Sequence, residues 1–116
     1  MPTMNRIDRY RDIIEKVLTD AWKYIGPAND SGVEYKLMFD RQRDSYAITA
    51  IGFDGPRRVH RFVIHLEIIN GKIWLQADNT DLVIARDLEA AGISKNEIVL
   101  GFQEPSVRPH TEYAAA

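Results

Sequence analysis

The chain has 116 residues, with 15 Lys and Arg against 17 Asp and Glu for a formal charge of −2, and it contains no cysteine. That length supports one domain, residues 1–116, with a core that needs no staples, and the missing cysteines exclude a disulfide framework and thiolate metal sites. The charge balance lacks the basic excess by which an autonomous nucleic-acid binder neutralises phosphates. No run of about 18 apolar residues offers a membrane span, and Met1-Pro2-Thr3-Met4-Asn5-Arg6 leads into charged residues in place of an apolar signal core, so a soluble cytoplasmic protein is expected.

From the N-terminus, Ile7, Tyr10, Ile14, Val17, Leu18, Ala21 and Ile25 recur mostly at spacings of three and four, while Arg9, Asp12, Glu15, Lys16 and Lys23 fill the opposite side. This pattern predicts an amphipathic helix over about residues 6–24, ended by Gly26-Pro27. A loop over residues 28–32 follows. Val33, Tyr35, Leu37 and Phe39 then alternate with mainly polar neighbours, as a half-buried strand requires. Asp40-Arg41-Gln42-Arg43-Asp44 is a polar turn, Tyr46 to Phe53 a second strand, Asp54-Gly55-Pro56 a turn, and Arg58 to Ile69 a long third strand.

Asn70-Gly71 between two strand-like runs is a strong hairpin signal, because a two-residue type I′ turn needs positive φ at both central positions. It pairs the third strand with a fourth, Lys72 to Ala77, setting Ile68 beside Ile73, Glu67 beside Trp74, Leu66 beside Leu75, His65 beside Gln76 and Ile64 beside Ala77. One face then holds Ile64, Leu66, Ile68, Ile73, Leu75 and Ala77 as core. The other holds Val63, His65, Glu67, Ile69, Lys72, Trp74, Gln76 and Asp78, facing water or another protein. Short connections between successive strands favour an antiparallel meander.

After the fourth strand the period changes. Leu82, Ala85, Leu88 and Glu89-Ala90-Ala91 suit a short helix, with Thr80 or Asp81 as N-cap and Gly92 as the C′ residue. Ser94-Lys95-Asn96-Glu97 has capping-box spacing for one further turn. Ile98 to Phe102 is too short for periodicity to separate a fifth strand from a buried connector. The prolines at 105 and 109 predict an extended C-terminal segment. The fold class expected is therefore α+β: a long N-terminal helix packed on a four-stranded antiparallel meander, then a short helix and an extended tail.

The residues that carry chemistry are sparse. His60, His65 and His110 form no ligand spacing, and alternation sets His60 and His65 on opposite faces of their strand; no metal or cofactor is expected. His65, Glu67, Gln76 and Asp78 fall on one sheet face, where an acid–base patch competes with the ordinary solvated face of an antiparallel sheet. Arg61 is placed on that same face as a salt-bridge partner. Trp74 there is either covered by the second helix or the tail, or it anchors a partner, since Trp is enriched at interface hot spots. Glu34-Tyr35-Lys36 matches the E-x-K fragment of restriction-like nucleases, but the nearest upstream acid in ordered structure, Asp20, falls on a helix. A small metal-dependent hydrolase or nuclease using Glu34, Lys36, His65 or Glu67 is the alternative reading. No Walker-type loop, Gly-x-Ser-x-Gly elbow or dinucleotide fingerprint is present. Arg41 with Arg43, and Arg57 with Arg58, sit at consecutive turns and so at opposite ends of a meander, which argues against one basic stripe.

Several separate blocks carry a family resemblance: Tyr10-Arg11 with Ile14; Phe39-Asp40 with Arg43-Asp44-Ser45-Tyr46; Gly71 through Thr80; Ala90-Ala91-Gly92-Ile93; Ile98 through Phe102; then Pro105, Arg108, Thr111 and Tyr113-Ala114. In this order they resemble the XisI family, the fdxN-element excision controlling factors of cyanobacteria, along essentially the whole chain. Asp81 stands where that family usually shows glutamate, and the chain ends in three alanines where a valine is common. The resemblance implies an accessory role, acting with an XisH-type partner and a site-specific recombinase to permit excision of a DNA element during heterocyst differentiation. It implies no catalytic motif, and DNA contact only through partners. Trp74, Gln76, His65 and Glu67 on the outer face, with the tail residues Arg108 and Thr111, are the partner-binding candidates. A homo-oligomer is also open.

Overall fold

The structure, a computed structural model, describes residues 5–26 and 32–116; of the expected loop over 28–32, only Gly32 lies within them. Helix α1 spans Arg6–Ile25. The Asn5 side chain caps it by accepting the Asp8 N–H at 2.8 Å, and Gly26, at φ 95°, returns its N–H to the Trp22 carbonyl. Its buried stripe is Tyr10, Ile14, Val17, Leu18 and Ala21, the face that the spacing predicts.

The strands are β1 (Val33–Asp40), β2 (Ser45–Asp54), β3 (Arg57–Ile69), β4 (Lys72–Asp78) and β5 (Ile98–Leu100), in the sheet order β1-β2-β3-β4-β5. The expected four-stranded antiparallel meander is thus corrected to a five-stranded mixed sheet, because β5 runs parallel to β4. The reason is the connection: α2 (Ile84–Ala90) and a single 3-10 turn at Lys95–Glu97 carry the chain back, so it re-enters in the same direction. At the opposite edge, Trp22 Nε1 donates to the Tyr35 carbonyl at 2.7 Å, which blunts β1 as a template for further strand pairing.

The hairpin forms as predicted, with Asn70 at φ 51° and Gly71 at φ 78°. Ile68 pairs with Ile73, Glu67 with Trp74 and Leu66 with Leu75. Gly71→Ala forces a side chain into the left-handed region and is expected to cost about 1 kcal/mol in a denaturant melt.

Two bulges then break the expected alternation. At the first, Leu66 pairs with Leu75 but His65 pairs with Ala77, so Gln76 is the extra residue and Ile64 meets Asp78. The expected pairs His65–Gln76 and Ile64–Ala77 are therefore corrected: Ala77 leaves the core face and Asp78 turns to the helix side. There Asp78 Oδ2 accepts the Ile84 N–H at 3.1 Å and Oδ1 accepts the Thr80 hydroxyl at 2.6 Å. It caps α2 from six residues away, the role expected of Thr80 or Asp81. At the second bulge Ile48 pairs with Ile64 and Thr49 with Phe62, leaving Val63 unpaired. Parity flips along β3, so Val59, Arg61 and Val63 join Ile64 and Leu66 on the helix side. His60 and Phe62 join His65 and Glu67 on the outer side. Val63 is therefore core, 3% exposed, and Arg61 leaves the His65 face for a pocket with Tyr24, Tyr35 and Leu82.

The core lies between the sheet and the two helices and is built from fully buried Ile14, Leu18, Tyr46, Ile48, Ile64, Leu66, Ile73, Ile84, Leu88 and Ile98. Helix α2 ends as predicted on Gly92, φ 105°; the Gly92 N–H donates to the Glu89 carbonyl and the Ile93 N–H to Leu88, while Ile93 is buried. The C-terminal segment is not simply extended. It folds through turns and a 3-10 turn at Arg108–His110, and Ala114 bridges β5 at Val99.

Candidate functional site

The outer face of β3 and β4, with the tail laid against it, gathers most of the chemically distinctive side chains. Trp74 and Gln76 project from β4, Gln76 being the bulge residue. Gln76 Nε2 donates to Glu67 Oε1 at 3.2 Å. Just past β5 the Gly101 N–H donates to the Leu75 carbonyl at 2.8 Å, and a Cβ at Gly101 would collide with the Gln76 carboxamide and press on the Trp74 ring. The chain then turns so that the Arg108 guanidinium lies 5.0 Å from the Trp74 ring centre, with Nη2 donating to the Gly101 carbonyl at 3.1 Å. Arg108 Nε is buried without a hydrogen-bond partner among the described residues.

Thr111 organises this turn from behind. Its hydroxyl donates to the Arg108 carbonyl at 2.9 Å and accepts the Tyr113 N–H at 3.2 Å. Tyr113 ties the tail to α2 by donating to Glu89 Oε2 at 2.8 Å, and the Ala114 N–H donates to the Ile98 carbonyl. Trp74 is therefore half-buried under the tail, with part of its ring left at the surface. His65 lies farther along the same face, with Nε2 2.9 Å from the Ser45 hydroxyl and the Phe62 ring edge-on at 5.0 Å. Of the six candidates, Glu67, Gln76, Trp74 and Arg108 form one cluster. His65 faces β2, and Thr111 supports the backbone. Asp78, expected in the patch, is on the other side of the sheet.

The Tyr113 phenol is pushed up to about 12, first by burial and then by its bond to the Glu89 carboxylate; burial and the neighbouring Asp44 put Tyr46 at about 12 as well. A value raised above that of the unfolded chain, about 10, contributes stability that is complete below pH 10 and lost as pH rises towards 12. Stability is expected to fall across that window in alkaline urea melts, with a smaller fall in Tyr113→Phe.

The residues of the alternative reading are dispersed. Glu34 and Lys36 lie on edge strand β1 with Nζ 3.7 Å from Oε1, Asp20 pairs with Lys16 on α1, and β2 separates β1 from His65 and Glu67. Among the described residues no three His, Asp or Glu side chains gather to hold a metal. The arginine pairs also stay apart at opposite ends of the sheet. Arg41 contacts Asp12 and Glu15, Arg43 contacts Asp40, Arg57 contacts Asp54, and Arg58 stacks 5.0 Å from the Phe53 ring. No helix among the described residues is long and apolar enough to cross a membrane.

Sequence reasoning missed Asp78 as a remote cap, Gly101 as the close-approach residue and Tyr113 as the latch. Only Gly101 carries a local signal, a glycine interrupting an apolar run.

These features define an α+β domain of one helix layer on a mixed five-stranded sheet, with an aromatic and cationic site locked by the C-terminal segment. A family model described as XisI protein matches residues 4–115, and the chain belongs to the XisI family. It is similar to the crystal structure of the fdxN element excision controlling factor XisI from Anabaena variabilis, at 36% identity and a TM-score of 0.86, covering 97% of this chain and 100% of that one. A XisI-like protein of the same organism is 36% identical with a TM-score of 0.87, again covering 97% of this chain and 100% of that chain. No curated protein matches.

Proposed function

We propose that this chain is a non-catalytic accessory subunit of the excision-controlling type, which engages an XisH-type protein and serves a recombinase that performs the strand chemistry. In this reading it acts in the cytoplasm during heterocyst differentiation, needs no cofactor and reaches DNA only through its partners. Family membership and the named role of the Anabaena variabilis relative support it. The observation that carries it is the Trp74–Arg108 stack: tryptophan and arginine are residue types enriched among interface anchors, and here the two lie together, half-buried, on the outer sheet face. Neighbouring Glu67 and Gln76 supply polar contacts around it, His65 stands farther along the same face, and Thr111 holds the tail in register.

Co-purification of the tagged chain with an XisH-like protein tests this directly. Trp74→Ala and Arg108→Ala should each weaken the complex by roughly tenfold or more, the scale of an anchor residue, with the fold checked by circular dichroism. Unchanged affinity in both removes these residues from the interface.

The lone chain should bind duplex DNA no more tightly than the roughly 10⁻⁴–10⁻⁶ M of non-specific association at physiological salt, and should leave DNA intact with Mg²⁺ or Mn²⁺. Sub-micromolar, steeply salt-dependent binding would replace the accessory reading with direct DNA recognition. Cleavage abolished by Glu34→Ala or Glu67→Ala would replace it with a nuclease.

A further inference from the structure

The sheet side away from the helices is half apolar. Met38, Phe53 and Phe62 are 53%, 51% and 48% exposed on it, and between them Ala47 and Thr49 are already buried at 4% and 5%. A depression of about 770 Å³ opens there, lined by Met38, Ala47, Phe62 and the β1–β2 turn. The molecule is 24 Å thick, the depth of one helix layer on one sheet, and no described element lies over β1 to β3 on this side.

We propose that this face docks a second copy of the same chain, the two sheets packing face to face with Phe62 against Phe62. Geometry favours self-association. For two sheets stacked face to face, a two-fold axis must lie in the plane between them, and an axis running across the strands lays each strand over its own copy. Passing near the midpoint of β3, where Phe62 stands, it sets the two Phe62 rings against each other as an anchor pair.

The formal charges are self-complementary along the outer side of β3, with Arg58 at one end and Glu67 at the other. An axis running across the strands lays each end over its opposite. Strands β1 to β3, about 4.8 Å apart and some ten residues long, present roughly 500 Å², so that two copies bury about 1,000 Å², the lower bound of a specific interface. The inference does not depend on the accessory role, since it concerns the chain with no partner present.

Sedimentation of the purified chain between about 1 and 100 μM tests it. The expected mass is twice 13.3 kDa. Phe62→Glu removes two anchors per dimer and should weaken association roughly 100-fold or more. Met38→Lys should weaken it in the same direction, and this variant decides the matter if Phe62→Glu fails to fold. Tyr24→Glu, at a helix residue that is 75% exposed, should leave the dimer intact. A wild-type chain that stays monomeric throughout overturns the proposal, as does a dimer that survives both outer-face substitutions. Monomeric wild type whose capture of an XisH-like protein is lost in Phe62→Glu would assign the face to that partner instead.

Discussion

Leu66→Ala and Leu75→Ala should each lower the free energy of unfolding by about 2–5 kcal/mol, the cost of removing buried methyl groups and leaving a partly relaxed cavity. The two residues face each other across the β3–β4 pair and are 0% and 2% exposed, packed against Ile73, Ile98 and the helices. Urea melts of both variants measure the effect. Values near wild type would mean that the register of the hairpin is wrong. The double variant should lose less than the sum, because the two cavities merge.

Asp44→Asn should destabilise the protein by about 1–3 kcal/mol at neutral pH, the range for losing a charge-assisted pair and disturbing a buried donor. Asp44 closes the β1–β2 turn at φ 52°, a conformation that Asn also tolerates, so the substitution isolates the charge. Its carboxylate receives Arg11 Nε at 2.7 Å and Nη2 at 3.1 Å, together with the hydroxyl of fully buried Tyr46 at 3.2 Å. With Arg11 and Asp44 side chains only 26% and 19% exposed, the pair is less screened than an ordinary surface ion pair.

The Arg11 guanidinium holds the Asp44 carboxyl below the usual carboxylate value, with burial opposing it. A depressed folded-state value contributes stability that is present above the unfolded value, about 3.9, and is lost as pH falls through the folded one. The gap between wild type and Asp44→Asn should therefore be widest near neutrality and close in strong acid. An equal gap across the whole range would show that the ion pair is not its source.

Much of this architecture is legible in the chain because its signals are local. The i, i+3, i+4 spacing over Ile7 to Ile25 marks α1 to within one residue of its ends, and Asn70-Gly71 marks the tightest turn because only such residues take positive φ readily. Gly92 stops α2 for the same reason. The family blocks were legible too, but not what joins them: Tyr10-Arg11 and Arg43-Asp44-Ser45-Tyr46 are distant in sequence and meet in one ion pair.

What eluded the sequence depends on pairs that form only in three dimensions. Alternation is a property of one strand, whereas a bulge is decided by two. The unpaired Val63 and the extra Gln76 therefore moved His60, Arg61, Ala77 and Asp78 to faces that period-two counting cannot assign. The direction of β5 was set by the route through α2, and three residues are too few to display it.

By itself the sequence determined the α+β class, the first helix, the four antiparallel strands and the Leu66–Leu75 core pair. In each case the cause is side-chain periodicity or turn stereochemistry acting over a few residues. Tertiary structure alone decided the fifth strand, the two bulges and the seating of Arg108 on Trp74. A contact across 34 residues of chain depends on where the intervening elements pack, and no local preference encodes that.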